Sequence, residues 1–259
     1  MTLAGAGTLR GRSASAAWPA LAFGVLFVGA WQGLVVLLDI QPYLLPSPAA
    51  IAVAFAGHAG TLVSATLTTG GNALLGFLVG ALVAVIVAAL AAALPVVDRM
   101  LAPLVAAVAV LPIVSIAPVL YTMYGADTQT PRQTVAAIAV FAPVFLNTVR
   151  GLRRVAPVHR DLMRSYAAGG WDRTRYVTLP GALPSLFGGL NVASSLAVIS
   201  ALVAEYFGGP QNGLGALITS SAANSAYDVA WAYVIGAIVL GLVFFVATLL
   251  LERAVTRRR

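Results

Sequence analysis

The sequence predicts an all-α, polytopic membrane bundle of six transmembrane helices with both termini cytoplasmic. Three observations carry that expectation. Of 259 residues, 60% are hydrophobic and only 9% charged, against roughly 25% charged in a soluble domain. The apolar residues gather into runs long enough to cross a hydrocarbon layer about 30 Å thick, and the mean hydropathy is +0.95. The basic residues are all arginine, and they fall on one side. With the N-terminus inside, the inner segments hold every arginine except Arg132, the asymmetry that orients membrane chains. The net charge of +7 is therefore a topology signal and not a nucleic-acid footprint. The chain has no cysteine, which excludes a disulfide frame, a thiolate metal site and a cysteine nucleophile.

The elements follow in order. A cytoplasmic tail over 1–16 carries Arg10 and Arg12 ahead of the first apolar run, Ala17–Leu38. That run exceeds the ~7–15 residues of a signal-peptide core, so it reads as a retained span. The turn-rich QPYLLPSPAA and a weakly amphipathic piece, Ala49–His58, lead to a second span within Thr61–Leu94. Thr66, Thr68, Thr69 and Asn72 imply that this span starts outside the membrane or against protein. After a turn at Pro95–Arg99 comes a third span, Leu101–Tyr124, and the loop GADTQTPR with Asp127 and Arg132. The fourth span, Thr134–Val149, opens into a long polar loop over 151–183. The fifth is Pro184–Phe207 and the sixth Val229–Leu251. One membrane domain, 17–251, and a basic tail, 252–259, complete the chain.

No ionisable residue lies well inside any of these spans; Glu205 is near the outer end of the fifth. An intramembrane enzyme would need a nucleophile, base or metal set at membrane depth, and no His, Asp or Glu is available there. Proton-coupled carriers keep ionisable groups in the bilayer because the coupling ion binds there. Sodium coupling through carbonyls and hydroxyls stays open, though neither paired interrupted helices nor an internal repeat is evident; otherwise a chain without them that moves solute uphill draws its energy from a partner.

The loop reads GLRRVAPVHRDLMRSYAAGGWDRTRYVTLPGALP. Pro157 suits the first position of a helix, and Val158, Leu162 and Tyr166 follow at i, i+4 and i+8 as one apolar stripe. Gly169 and Gly170 supply a left-handed stop, and Asp172 caps a second short helix. Trp171 and Tyr176 stand at the positions of a hydrophobic staple across that cap. Leu179-Pro180 and Leu183-Pro184 then break the chain and re-aim it into the fifth span.

This loop resembles the Glu-Ala-Ala loop of ABC importer permeases. Counting back from Leu179-Pro180 sets Asp161 at the acidic position, Leu162 and Met163 at the two alanines, and Ala167 at the glycine. The acid, Trp171, the spacing and the exit match; the alanine pair and the glycine depart. Leu45-Pro46-Ser47-Pro48, Ala204-Glu205 and Gly213-Leu214-Gly215 are similar to the nitrate, sulfonate and taurine branch, in the same order. The resemblance implies a type I ABC importer permease fold in the plasma membrane of a prokaryote. It implies a cytoplasmic ABC ATPase dimer that binds the ATP and Mg, this chain binding no cofactor itself. It implies, too, a second permease subunit, a homodimer being expected, and an extracytoplasmic substrate-binding protein. Asp161, Arg164, Ser165, Ala167, Ala168, Gly169, Gly170, Trp171 and Asp172 then form the ATPase contact. Candidate pathway residues are Pro112, Ser115, Asn191 and Ser195, whose residue types also serve helix packing. The substrate is a small solute: a sulfonate, taurine or nitrate, or a heteroaromatic vitamin precursor such as a thiamine pyrimidine or riboflavin. A secondary carrier or a membrane scaffold is the alternative reading.

Overall fold

The computed structural model describes residues 12–154 and 157–257. The first eleven residues, with Arg10, and the final Arg258 and Arg259 lie outside the described residues, as does most of the expected N-terminal tail. The described chain is helical throughout: α1 Arg12–Leu37, α2 Pro48–Gly57, α3 Ala59–Ala93, α4 Pro95–Val110, α5 Ile113–Tyr124 and α6 Thr130–Arg153. After α7 (Pro157–Ser165) come α8 (Gly170–Arg173), a π-helical stretch (Thr174–Thr178), α9 (Leu179–Glu205), α10 (Leu214–Ala223) and α11 (Tyr227–Thr256).

Among the described residues, four stretches are long and apolar enough to span a bilayer: Ala59–Ala93, Thr130–Arg153, Gly170–Glu205 and Tyr227–Thr256. A fifth arises if α4 and α5 are one broken span. The apolar part of α1, Leu21–Leu37, is about 25 Å long at 1.5 Å per residue. Six full-length spans are thus not what helix length alone supports.

The expected single helix Leu101–Tyr124 is instead two. α4 ends at Val110, Leu111 and Pro112 are extended, and the two axes meet at 99°. The physical reason is Pro112: it lacks the N–H a continuing helix would use, and it disfavours the helical region for Leu111 before it. Pro95 begins α4 directly, where its missing donor costs nothing, so the expected turn at Pro95–Arg99 is helical. The short α2 starts as its sequence suggests, with the Ser47 hydroxyl accepting the Ala50 N–H at 3.2 Å and Pro48 at its first position.

The core lies where α3, α6 and α9 cross, and small residues make it. A Cβ at Gly76 would meet the Ala136 side chain and the Gln133 carbonyl, and one at Gly80 would overlap the backbone at Ala137. Ala73, Ala84 and Ala88 continue this seam at helical spacing and are fully buried. On the other side of α6, Cβ atoms at Gly151 and Gly189 would strike Ser185 and Asn147. Lipid tails are as apolar as leucine, so helices associate in a membrane through close packing, and small residues permit it. The larger side chains turn outward, where a bilayer welcomes them.

This packing predicts an asymmetric response to added bulk. Gly80→Leu should lower the yield of monodisperse protein in mild detergent and cost stability by roughly 3 kcal/mol or more, above the usual 1–3 for overpacking because the obstacle is backbone. Gly24→Leu, on a face of α1 with nothing within 4 Å of the added carbon, should leave both unchanged. Thermal melts followed by size-exclusion chromatography compare the two.

Candidate functional site

Two sites emerge at opposite ends of the long α8–α9 helix. At its C-terminal end, Glu205 is 1% exposed and surrounded by donors. The Thr69 hydroxyl of α3 lies 2.9 and 3.1 Å from the two carboxylate oxygens and also accepts the Leu214 N–H at 2.9 Å. The Gly215 N–H donates to Glu205 Oε2 at 2.7 Å. The carboxylate thus sits at the first turn of α10, where free backbone N–H groups and the helix dipole favour an anion. Glycine is required around it. A Cβ at Gly213 would overlap the carboxylate, and one at Gly215 would overlap Leu202 O. The two sequence features Ala204-Glu205 and Gly213-Leu214-Gly215 are therefore one structural unit.

Arg132 supplies the counter-charge. Its Nη1 is 3.7 Å from Glu205 Oε1, and both side chains are fully buried. Its remaining donors hold the loop between α9 and α10: Nη1 donates to Asn212 Oδ1 at 3.2 Å, and Nη2 donates to the carbonyls of Gly208 and Pro210. Nε donates to the Tyr121 hydroxyl at 3.2 Å, and Nη1 also reaches Gln129 Oε1 at 2.8 Å. Gly208 and Gly209 adopt positive φ as the loop passes over the Tyr121 ring. Asn72 donates to Gln129 and accepts from Gln133, tying α3 into the web. Arg132 was expected in an outer loop. It lies in the first turn of α6, because the helix begins at Thr130 with Pro131 in its first turn. The sequence held one clue to this node: a lone arginine on the side that orientation should keep free of them.

At the other end, the loop residues are arranged differently from the sequence expectation. α7 ends in a left-handed residue, and that residue is Ala167, at φ +50°. The Ala167 N–H donates to Arg164 O at 2.9 Å and the Ala168 N–H to Met163 O at 3.0 Å, the paired bonds of a Schellman stop. Gly169 is extended, at φ −66° and ψ 168°, so the glycine pair does not provide the turn. Asp172 is no cap; Gly169 holds that position and Asp172 stands exposed in the first turn of α8. Trp171 and Tyr176 form no staple, being 70% and 64% exposed. The Leu-Pro pairs do not break the chain. Helix continues from Gly170 to Glu205, and the π-helical turn at Thr174–Thr178 re-registers the ladder just before Pro180, whose missing N–H the wider turn absorbs.

Asp161 pairs with Arg164 at 3.7 Å on the exposed face of α7, and the Ser165 hydroxyl donates to Leu162 O. Val158, Leu162, Tyr166, Trp171 and Tyr176 are all exposed large side chains. Of the candidate pathway residues, Pro112 and Ser115 lie exposed at the α4–α5 break. Asn191 and Ser195 are one turn apart on α9; no hydrogen bond joins them to the Pro112 pair among the described residues. The Asn191 side-chain amide donates to Glu252 of α11 at 2.7 Å, and its buried Oδ1 has no partner. Ser195 lines a cavity of about 410 Å³ between α9, α10 and α11, with Tyr206, Ile218, Ile238 and Phe245.

The described chain thus combines a buried polar node at Arg132 and Glu205 with a polar loop that exposes large apolar side chains. Residues 76–258 match the family described as binding-protein-dependent transport system inner membrane component, and the chain belongs to it. It is a multi-pass inner-membrane permease subunit of an ABC importer. The chain is 39% identical over 247 residues to the riboflavin transport system permease protein of Chloroflexus aurantiacus, covering 93% of this chain and 91% of the relative. It is 29% identical to the formylaminopyrimidine transport permease protein of Halalkalibacterium halodurans, over 79% of this chain and 80% of that one. The putative aliphatic sulfonates transport permease protein of Escherichia coli is 30% identical over 87% and 86%. Among solved structures, an amino acid ABC transporter with histidines shares the fold at a TM-score of 0.61 and 17% identity, covering 80% of this chain and 98% of that chain.

The buried pair predicts strong non-additivity. Arg132→Met or Glu205→Gln alone leaves a partner unmatched in the interior and should cost about 3–5 kcal/mol. The double variant should cost clearly less than the sum of the two. A double-mutant cycle on thermal unfolding in detergent measures the difference; additive losses would show the pair to be uncoupled.

Proposed function

We propose that the chain forms, as a homodimer, the translocation pathway of an importer driven by a cytoplasmic ATPase dimer. The membrane domain is 17–251, and the loop over 151–183 is its coupling element. The observation that carries this reading is the cluster Val158, Leu162, Tyr166, Trp171 and Tyr176, five large apolar or aromatic side chains exposed in an arginine-rich polar segment. A face of that kind in water marks a protein contact. Asp161, Arg164, Ser165, Ala167, Ala168, Gly169, Gly170, Trp171 and Asp172 surround it. The departure at Leu162 from the family's alanine pair adds an exposed side chain to this segment, while Met163 is half-buried; the added bulk calls for an ATPase with a correspondingly wide groove. That ATPase binds the ATP and Mg; this chain binds no cofactor. An extracytoplasmic binding protein delivers substrate to the end that carries Glu205.

The substrate favoured is a heteroaromatic solute of the riboflavin or pyrimidine type. The relative at 39% identity is named for riboflavin. Moreover, the cavity at Ser195 has aromatic and aliphatic walls and no ionised side chain, so a sulfonate or nitrate would find no counter-charge there. Its volume suits a small organic ligand. Asn191, with its unbonded Oδ1, lies one turn from Ser195 along α9, and Pro112 and Ser115 complete the candidate pathway.

Purification of the tagged chain in mild detergent should bring an ATPase with it at equal stoichiometry. Trp171→Ala should weaken that association roughly 30-fold, the size of an interface hot spot at about 2 kcal/mol, while membrane insertion is retained. An unchanged ATPase yield with Trp171→Ala and Leu162→Arg together would overturn the coupling assignment. Ser195→Trp, which fills the cavity, should abolish ATP-dependent riboflavin uptake while the ATPase still co-purifies. Undiminished uptake would remove the cavity from the pathway.

A further inference from the structure

A second cavity, of about 490 Å³, opens between α3, α6 and the start of α9. Its walls are Val85, Ala89, Leu152, Leu183 and Leu186, and Arg175 of the π-helical stretch lines it too. The remaining hydroxyl, on Thr148, is committed to Val144 O at 2.7 Å. Arg175 is thus the one ionised group in the lining. It makes no ion pair among the described residues, and its guanidinium lies 5.7 Å from the centroid of the Tyr176 ring.

The position of this crevice matters as much as its chemistry. It lies where the span meets the polar loop, and Arg150, Arg153, Arg154 and Arg173 flank it in sequence. Asp98 and Asp161 are already engaged by Arg153 at 2.8 Å and Arg164 at 3.7 Å, and Asp172, three residues before Arg175, forms no ion pair with it among the described residues. An apolar groove between helix ends with an unpaired cation at its polar mouth is complementary to one kind of molecule, an anion with a hydrocarbon chain. The inner leaflet supplies such molecules at high density.

We propose that this crevice binds an anionic phospholipid of the inner leaflet, with its phosphate on Arg175 and an acyl chain along Val85, Ala89, Leu183 and Leu186. The site rests on the orientation given by the arginines and not on the substrate; Arg175 neighbours Tyr176 of the proposed docking face, so the test is made without an ATPase and its failure leaves that contact untouched. Occupancy would wedge a lipid between α3 and the π-helical turn through which α8 joins α9.

The test uses the full-length chain in nanodiscs containing equal phosphatidylglycerol and phosphatidylcholine, with a trace of either lipid spin-labelled. The motionally restricted fraction should favour phosphatidylglycerol by roughly fivefold, the preference expected of one arginine near the surface. Millimolar inorganic phosphate should not displace it. Arg175→Gln should bring the preference close to unity in protein that remains monodisperse, and Leu186→Trp should reduce the restricted fraction of both lipids. Equal restriction of the two lipids by the unaltered protein overturns the proposal without any variant. So does a preference that survives Arg175→Gln. Full competition by inorganic phosphate would replace the lipid with a free anion and overturn it as well.

Discussion

A carboxylate sealed inside a membrane protein must be neutralised by its surroundings, and Glu205 sets that requirement for the outer end of this bundle. Removing an ion from water costs several kcal/mol even after relaxation, and the loss is offset only if every lone pair finds a donor. Here the partners come from three separate stretches, Thr69 of α3, Arg132 of α6 and the backbone of Gly215 in α10, while α9 presents the carboxylate itself. Arg132 then uses its remaining donors on the loop between α9 and α10. The start of the short α10 is held by the Glu205 carboxylate, and its buried Leu214 and Ala216 pack it into the bundle. The glycines at 213 and 215 follow from the same constraint, since a side chain at either would displace the carboxylate or its helix.

The inner half is held by another force. Between α3, α6 and α9 there is little polar bonding; backbone approaches backbone across glycine and alanine. Close packing without side-chain interdigitation resists added volume and tolerates no repacking, so this half behaves as a rigid block. Polar fastening at one end and tight apolar packing at the other divide the labour along the same three helices.

Much of this was legible in the residues, though unevenly. Composition, hydropathy and arginine distribution identify a membrane bundle because the bilayer imposes them on any chain. The α2 start at Ser47-Pro48, one residue ahead of the expected Ala49, and the Pro112 break within the expected single span both follow from local backbone chemistry that a hydropathy run conceals. The Arg132–Glu205 pair was not legible, because its members are 73 positions apart and each alone reads as a loop or boundary charge. The Asp172 cap and the Leu-Pro break were misjudged for a common reason. Local rules assign a stop to a glycine pair and a break to proline. A π turn offers the chain a way to carry proline through, and an alanine forced to φ +50° can end α7 when the following residues are committed to the next helix.

That continuity changes what the loop can transmit. A chain broken at Leu179-Pro180 would let the exposed Trp171 face move while the fifth span stayed still. The observed helix instead runs from Gly170 to Glu205, about 54 Å at 1.5 Å per residue. Under the coupling reading, a displacement imposed on Trp171 reaches the Glu205 node with two softer points between them, the π-helical turn and the interior Pro184. A tilt there would swing Asn191 and Ser195 relative to α11, to which Asn191 is bonded through Glu252 at 2.7 Å. The outer node resists the same tilt, because Arg132 and Thr69 belong to helices that do not carry the docking face. Push and restraint thus act on opposite ends of one lever, with the candidate pathway residues on the span between them.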